Sequence, residues 1–385
     1  MDFFLTEDEL AFRDAVRDWA DAKWPRERAR ELDETGEFPT ELWDDMAAMG
    51  FHGIGVSEEY GGQGGDVVTQ VLLAQGLSRN LAGLATMWGV PSFAGAKSVG
   101  LYGSPEHKER FLPALAAGRI RFAIAITEPD GGTDLLGRMR TRARRVDGGW
   151  VIAGQKIWST GAHVADYILV LARSEDDAPV SRSMTLFLVP TKSDGLSMRQ
   201  IPKLGIKPFA SNEIFFDDVY VPDDLVFGER GGGWKLLVGT LNNERIMTAG
   251  FAAGVLEGVL EVAVEYLNQR EAFGRTIGHF QALQHYIADI RAWQAQSELL
   301  ALYAARMQSA GKECGTEATM AKMVSAEYAN KAADLGIQML GGMGYAMETD
   351  MQRFWRDSRI YRIAPITTEM AKNMVAQSCG LPRSY

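Results

Sequence analysis

Four stretches of this sequence put polar side chains and glycines close enough together to grip a ligand. In ITEPDGGTD (126–134) a strand-like run ends in a turn with Pro129 and two glycines. Hydroxyls and backbone N–H groups gather there, and glycine lets a ligand approach closely; a plain connecting loop has the same composition. In GQKIWSTGAHVADYILV (154–170), Trp158 stands beside Ser159 and Thr160. That trio is either an ordinary edge-strand aromatic or a flat shield over a planar cofactor, its hydroxyls reaching ring heteroatoms. NQREAFGRTIGHFQALQ (268–284) sets Arg270 and Gln281 around an AFG break. These are a solvated cation at an interhelical turn, or a guanidinium forking to phosphate with an amide on a ribityl or pyrophosphate group. QMLGGMGYAMETDMQRFWRDSRIYRI (338–363) opens on a glycine cluster that suits a phosphate or an adenine, and equally a tight corner.

The elements that must carry these stretches follow an α, then β, then α order. Thr6 and Glu9 form a capping box ahead of Phe12, Val16 and Trp19 at helical spacing. Pro39 and Thr40 open a second helix closed by Gly50, EEYGGQGG (58–65) is a glycine-rich loop, and Pro91 and Pro105 mark breaks in a helical pattern reaching about 118. Six β-rich segments follow between 123 and 222, two of them joined by a hairpin turn at Asp147-Gly148-Gly149. Strands without intervening helices predict a small barrel or two packed sheets. After GERGGG (228–233) the spacing predicts helices from near Asn242, over 279–309, over 316–340 and over 367–379. Gly250, Gly254 and Gly258 lie four apart on the first, a ridge for close helix packing. The expected fold is α+β: an N-terminal helical domain (1–120), a middle β-barrel or two-sheet domain (121–228) and a C-terminal four-helix bundle (229–385).

Composition removes several chemistries. The 385 residues are 46% hydrophobic, enough for a large core, and the formal net charge is -10. An acidic chain without a basic stripe makes a poor nucleic-acid binder. No apolar run approaches the roughly 20 residues of a membrane span. MDFFLTEDELAF carries no targeting pattern, so a cytoplasmic protein is expected. Cys314 and Cys379 are too far apart for a CxxC pair and are expected to be buried thiols; with no HExxH, no metal is expected. Walker A, GxSxG and GxGxxG patterns are absent, which argues against ATP, serine hydrolysis and a Rossmann site.

Taken together and in order, LTEDEL, PSF, TEPDGGTD, GQKIWSTGA, FDDVYVP, REAFGRTIGHFQ and QMLGGMGY resemble the acyl-CoA dehydrogenase family across nearly the whole chain. REAFG with IGHFQ is most similar to the isovaleryl-CoA dehydrogenase branch. The resemblance implies FAD as cofactor, an acyl-CoA as substrate in fatty-acid or branched-chain acid catabolism, an electron-transfer flavoprotein as acceptor, and a homotetramer built as a dimer of dimers. By motif position it implies that Ile126, Thr127 and Thr133 line the flavin, with Trp158, Ser159 and Thr160 over its other edge. Arg270, Phe273, Phe280 and Gln281 would touch the FAD of a neighbouring subunit, and Gln338, Gly341 and Gly342 its adenosine end. Thr367 and Glu369 match a flavin-binding threonine and polar residue.

Dehydrogenation of a thioester at Cα–Cβ needs a base for the α-proton, donors for the carbonyl oxygen, and a hydride acceptor. Many family members place a glutamate just before the last helix, where this chain has Pro365. The isovaleryl-type branch places it on the first bundle helix, where LNNER (241–245) supplies Glu244; the bland alternative is a carboxylate complementing the helix dipole. On the family pattern Thr133, Asn242, Arg245, Pro365 and Ile366 border the substrate. Proline has no N–H to offer the thioester carbonyl, so the Ile366 N–H, a shifted loop or a ribityl hydroxyl alone must serve. An oxidase or flavin monooxygenase on the same scaffold is the alternative reading.

Overall fold

The computed structural model describes residues 2–383. The first helices are α1 (Glu7–Lys23), α2 (Arg26–Thr35), α3 (Thr40–Ala48) and α4 (Val67–Leu81). The Thr6–Glu9 capping box forms, with Glu9 N–H donating to Thr6 Oγ1 at 3.3 Å and Thr6 N–H to Glu9 Oε2 at 2.9 Å. Helix α2 has no apolar stripe to betray it in the sequence: only Ala29 and Asp33 are buried. Pro91 does not break the helical path, because α5 (Thr86–Pro91) runs through a π-helical turn, Ser92–Lys97, into α6 (Ser98–Tyr102). Pro105 does open a new helix, α7 (Pro105–Ala116), capped by Ser104.

The middle region has eight strands: β1 (Phe122–Ala125), β2 (Arg142–Val146), β3 (Gly149–Thr160), β4 (Tyr167–Arg173), β5 (Met184–Pro190), β6 (Leu196–Ile201), β7 (Ser211–Pro222) and β8 (Val226–Phe227). A short helix, α8 (Leu135–Arg138), interrupts them. Strands β6-β7-β3-β2 form an antiparallel half. In the other half β4 pairs with β1 in parallel and with β5 antiparallel, and β8 adds to β5. The halves meet at one pair, Arg142 with Arg173, so they behave as two sheets joined at a corner. Ile152, Ile214 and Val219 of one half and Val170 and Phe187 of the other fill a shared apolar core. Strand β6, half polar, with no fully buried residue and on an outer edge of the sheet, leaves a weak trace in the sequence.

The C-terminal region holds α9 (Gly233–Gln269), the hairpin β9 (Glu271–Ala272) and β10 (Arg275–Thr276), α10 (Gln281–Ser309), α11 (Gly315–Leu340), α12 (Gly342–Tyr345), α13 (Met351–Ser358) and α14 (Thr368–Ser378). Helix α9 begins at Gly233 and not near Asn242. It is long and apolar enough to cross a membrane, but most of that stretch is buried inside the protein, as in the core helix of a globular bundle. Its glycine ridge faces α4: a Cβ on Gly254 would sit 2.2 Å from the Gln75 carbonyl oxygen, and one on Gly258 2.4 Å from that of Arg79. One apolar core joins the first helices to the bundle. Buried Asp357 ties the three regions together, accepting the Gly83 N–H at 3.2 Å and the Ile206 N–H at 2.7 Å. Of the two cysteines Cys314 is buried, but Cys379 is exposed, just past the end of α14.

Candidate active site

The segment leaving β1 and the end of β3 lie side by side. Ile157 N–H donates to the Thr127 carbonyl at 2.9 Å. Lys156, wholly buried, donates to the Ile126 carbonyl and to Glu128 Oε1, both at 2.9 Å. Glu128 also accepts the N–H groups of Arg140 (2.6 Å) and Thr141 (2.9 Å). Burial pushes the Lys156 ammonium down to about 8 against the pull of Glu128. The Glu128 carboxyl is held low: burial opposes ionisation, but Lys156 and the Thr141 and Arg140 contacts outweigh it. This clamp fixes Ile126 and Thr127 against the strand bearing Trp158.

Strand β3 bulges between Lys156 and Ser159. Trp158 takes φ +65° there and is 57% exposed. A bulky side chain with positive φ is strained, and such strain concentrates where a side chain is aimed at a ligand. Ser159 is buried, its hydroxyl without a partner among the described residues. Thr160 shares a 2.9 Å hydrogen bond with Ser211. Thr133 lies exposed in the turn before α8, next to Asp134, whose Oδ1 accepts the Gly137 N–H at 3.1 Å.

Glu244 lies about three turns inside α9. The field of a helix N-terminus fades within its first turn, so the dipole does not account for a carboxylate here. No hydrogen bond or ion pair to its carboxylate is found among the described residues. Burial raises its pKa to about 7, although Arg245 and Lys322 pull it down. Arg245 is buried, donates to Asn242 Oδ1 at 3.2 Å and reaches Met374 of α14. A carboxylate titrating near neutrality is suited to proton abstraction at physiological pH.

Across from it, Pro365 follows a cis peptide bond in the link to α14. The Ile366 N–H has no acceptor among the described residues, and the Ile366 carbonyl accepts from the Lys322 ammonium. Thr367 caps α14, its Oγ1 accepting the Met370 N–H at 3.2 Å, and its hydroxyl hydrogen-bonds the Glu369 carboxylate. Glu369 is exposed on the first turn of that helix.

A separate cluster gathers at the β9–β10 hairpin. Phe273 at its tip is 92% exposed with φ +54°. It meets Phe280 edge-on at 6.0 Å, and the Arg275 guanidinium lies 5.0 Å over the Phe280 ring. Arg270 and Gln281 are exposed nearby, and Arg270 has no ion pair among the described residues. Gln338, Gly341 and Gly342 are exposed at the end of α11, with open space where a Cβ on either glycine would point. The predicted residues thus fall into three groups: Ile126 and Thr127 beside the strand bearing Trp158, Ser159 and Thr160; Glu244 and Ile366, linked through Lys322; and a set displayed outward.

Three residues that position the site escaped the sequence reading: Glu128, Lys156 and Lys322. The signal was present for Lys322, a cation spaced with Ala318, Ala321, Ser325 and Ala329 on the buried face of α11.

The sequence matches the acyl-CoA dehydrogenase N-terminal domain over residues 6–119, the middle domain over 123–219 and the C-terminal domain over 231–380. Benzylmalonyl-CoA dehydrogenase of Aromatoleum aromaticum is 36% identical, covering 98% of this chain and 99% of that protein. The acyl-CoA dehydrogenase FadE12 of Mycobacterium tuberculosis is 34% identical, covering 100% and 99%. Butyryl-CoA dehydrogenase of Megasphaera elsdenii superimposes with a TM-score of 0.94 at 30% identity, covering 99% of this chain and 100% of that one. An FAD complex of PigA does so with a TM-score of 0.93 at 27% identity, covering 99% and 100%. With all three domains matched in order and relatives aligned end to end, the chain belongs to the acyl-CoA dehydrogenase family.

Proposed function

We propose that this protein, an oxidoreductase of acyl-CoA thioesters, removes the α-proton with Glu244. The observation that carries this reading is an unpaired, partly buried carboxylate with its pKa raised to about 7, in a chain with Pro365 where the usual base would stand. FAD is the cofactor, and the residues fit it. Trp158 presents an exposed ring at a strained bulge, the Ser159 hydroxyl lies buried without a partner, and Gly341 and Gly342 leave the backbone open to an adenosine. Bound FAD supplies the acceptor for the β-hydride. Ile126, Thr127, Thr133, Ser159, Thr160, Thr367 and Glu369 would hold its ring and ribityl side. Arg270, Phe273, Phe280, Gln281 and Gln338 would serve the FAD of a neighbouring subunit in a homotetramer.

Each remaining step falls to this chain's own groups. Asn242 and Arg245 sit one helical turn apart beside the base, where the family contacts CoA. The unpaired Ile366 N–H replaces the donor that Pro365 lacks and takes charge from the thioester oxygen as the α-proton leaves. A substrate-analogue complex with no protein donor within about 3.2 Å of that oxygen would leave a ribityl hydroxyl to act alone. A branched or cyclic acyl group is favoured, from the REAFG and IGHFQ motifs and from a relative whose name specifies the substituted benzylmalonyl group. Electrons pass to an electron-transfer flavoprotein. Pro365 gives weight to a second reading, reaction with oxygen, which oxygen uptake without another acceptor would reveal. The test of the first is Glu244→Gln: FAD should stay bound while acyl-CoA no longer bleaches it, and undiminished bleaching would remove Glu244 as the base.

A further inference from the structure

Lys322 is a wholly buried lysine that the reaction as described does not use. It projects from the middle of α11 into the space shared with α9 and the link before α14. Its ammonium donates to the Ile366 carbonyl. The charged groups facing it come from every element packed there: Arg245 and Glu244 on α9, Glu327 on its own helix, and Glu369 on α14. Arg362 neutralises Glu327 through a 2.8 Å hydrogen bond, and Glu369 is exposed to solvent. Toward Glu244 the acting charges are Arg245 and Lys322. Arg245 pulls the more strongly on Glu244, but its hydrogen bonds go to Asn242 and Met374 and not to the link before α14. Lys322 is therefore the cation joining the base to the link carrying Pro365.

A buried lysine is costly unless its charge is used. Here one side chain meets two needs that the loss of a base at 365 creates. It anchors Ile366 by its carbonyl, which fixes the residue whose N–H is unpaired. It also places positive charge beside Glu244, favouring the ionised form that can accept a proton. We propose that Lys322 is a positioning residue for α-proton removal, holding the Ile366 donor in place and setting a positive charge toward Glu244. This rests on Glu244 as base and extends it to the group that tunes it. Burial and the repulsion of Arg245 push the Lys322 ammonium itself down to about 8, so its help fades in alkaline solution.

The experiment is the pH dependence of anaerobic flavin bleaching by one acyl-CoA, with FAD content measured on each sample. It compares wild type, Lys322→Met, Lys322→Arg and Glu244→Gln. Lys322→Met should keep FAD, bleach at least tenfold more slowly, and move the acid limb up by about one pH unit, since removing a nearby cation raises a carboxyl's pKa. Lys322→Arg should leave that limb in place. An unmoved limb in Lys322→Met would overturn the proposal. If Lys322→Met loses FAD, Lys322→Gln, which keeps a donor without the charge, is read the same way. Loss of FAD there too means Lys322 only maintains the fold, and the proposal fails. Full bleaching by Glu244→Gln would instead overturn the base assignment itself; loss of bleaching there with an unmoved Lys322→Met limb would sink only the proposal.

Discussion

Glu244 is raised toward neutrality because desolvation outweighs the attraction of Arg245 and Lys322. The base must be ionised to act, so the bleaching rate should rise with pH through about 7 and level off before the Lys322 ammonium is lost near 8. A stopped-flow pH series checks this, and a flat profile from pH 6 to 8 would contradict it. Glu244→Gln should slow bleaching by about 10²–10⁴, the usual contribution of a positioned base. Trp158 makes a second test. If its exposed ring covers the flavin, Trp158→Ala should weaken FAD retention about tenfold, read by flavin release on dilution; unchanged retention would assign the strained bulge another purpose. Glu244 itself was legible only through family resemblance, since nothing in LNNER announces a perturbed carboxylate. Its desolvation comes from helices α9 and α11 converging, which spacing along one chain does not show.

Element-scale features separate what sequence patterns carry from what they do not. The capping box at Thr6, the turn at Asp147–Gly148 and the glycine ridge of α9 were readable, because each depends on residues a few positions apart. Helix α2 and strand β6 leave weak signals because α2 fully buries only Ala29 and Asp33, and β6 buries no residue fully. The α9 start was placed too late because Gly231, Gly232 and Gly233 look like a loop, yet the last of them is already helical. The ridge gives a direct test. Gly254→Ala puts a Cβ 2.2 Å from the Gln75 carbonyl, which must push α4 away. A loss of about 1–3 kcal/mol in unfolding free energy is expected, measured by chemical denaturation. The Lys156–Glu128 clamp gives another. Lys156→Met leaves a buried carboxylate unpaired, at a cost of about 3–5 kcal/mol, while Glu128→Gln with Lys156→Met together should recover part of it.

At the scale of the whole molecule, the chain displays groups that its own fold does not use. Phe273 and Tyr345 are 92% and 82% exposed, and Arg270 is exposed, with no ion pair among the described residues. Isolated exposed apolar residues are ordinary, but an aromatic at a strained hairpin tip beside Arg270 and Arg275 suits a partner surface. If a neighbouring subunit brings its FAD there, Phe273→Asp should lower the mass seen by light scattering and release flavin together. Smaller particles that keep FAD would separate assembly from cofactor binding. The central claim remains the chemistry at Glu244. It is tested most directly by an anaerobic visible spectrum of the purified protein, titrated with straight, branched and cyclic acyl-CoAs, alongside Glu244→Gln. Bleaching of the oxidised flavin band by wild type, strongest with a branched or cyclic acyl group and slower by about 10² or more in Glu244→Gln, is the result expected. A yellow wild-type protein that no acyl-CoA bleaches, or a Glu244→Gln protein that bleaches as fast, would contradict it.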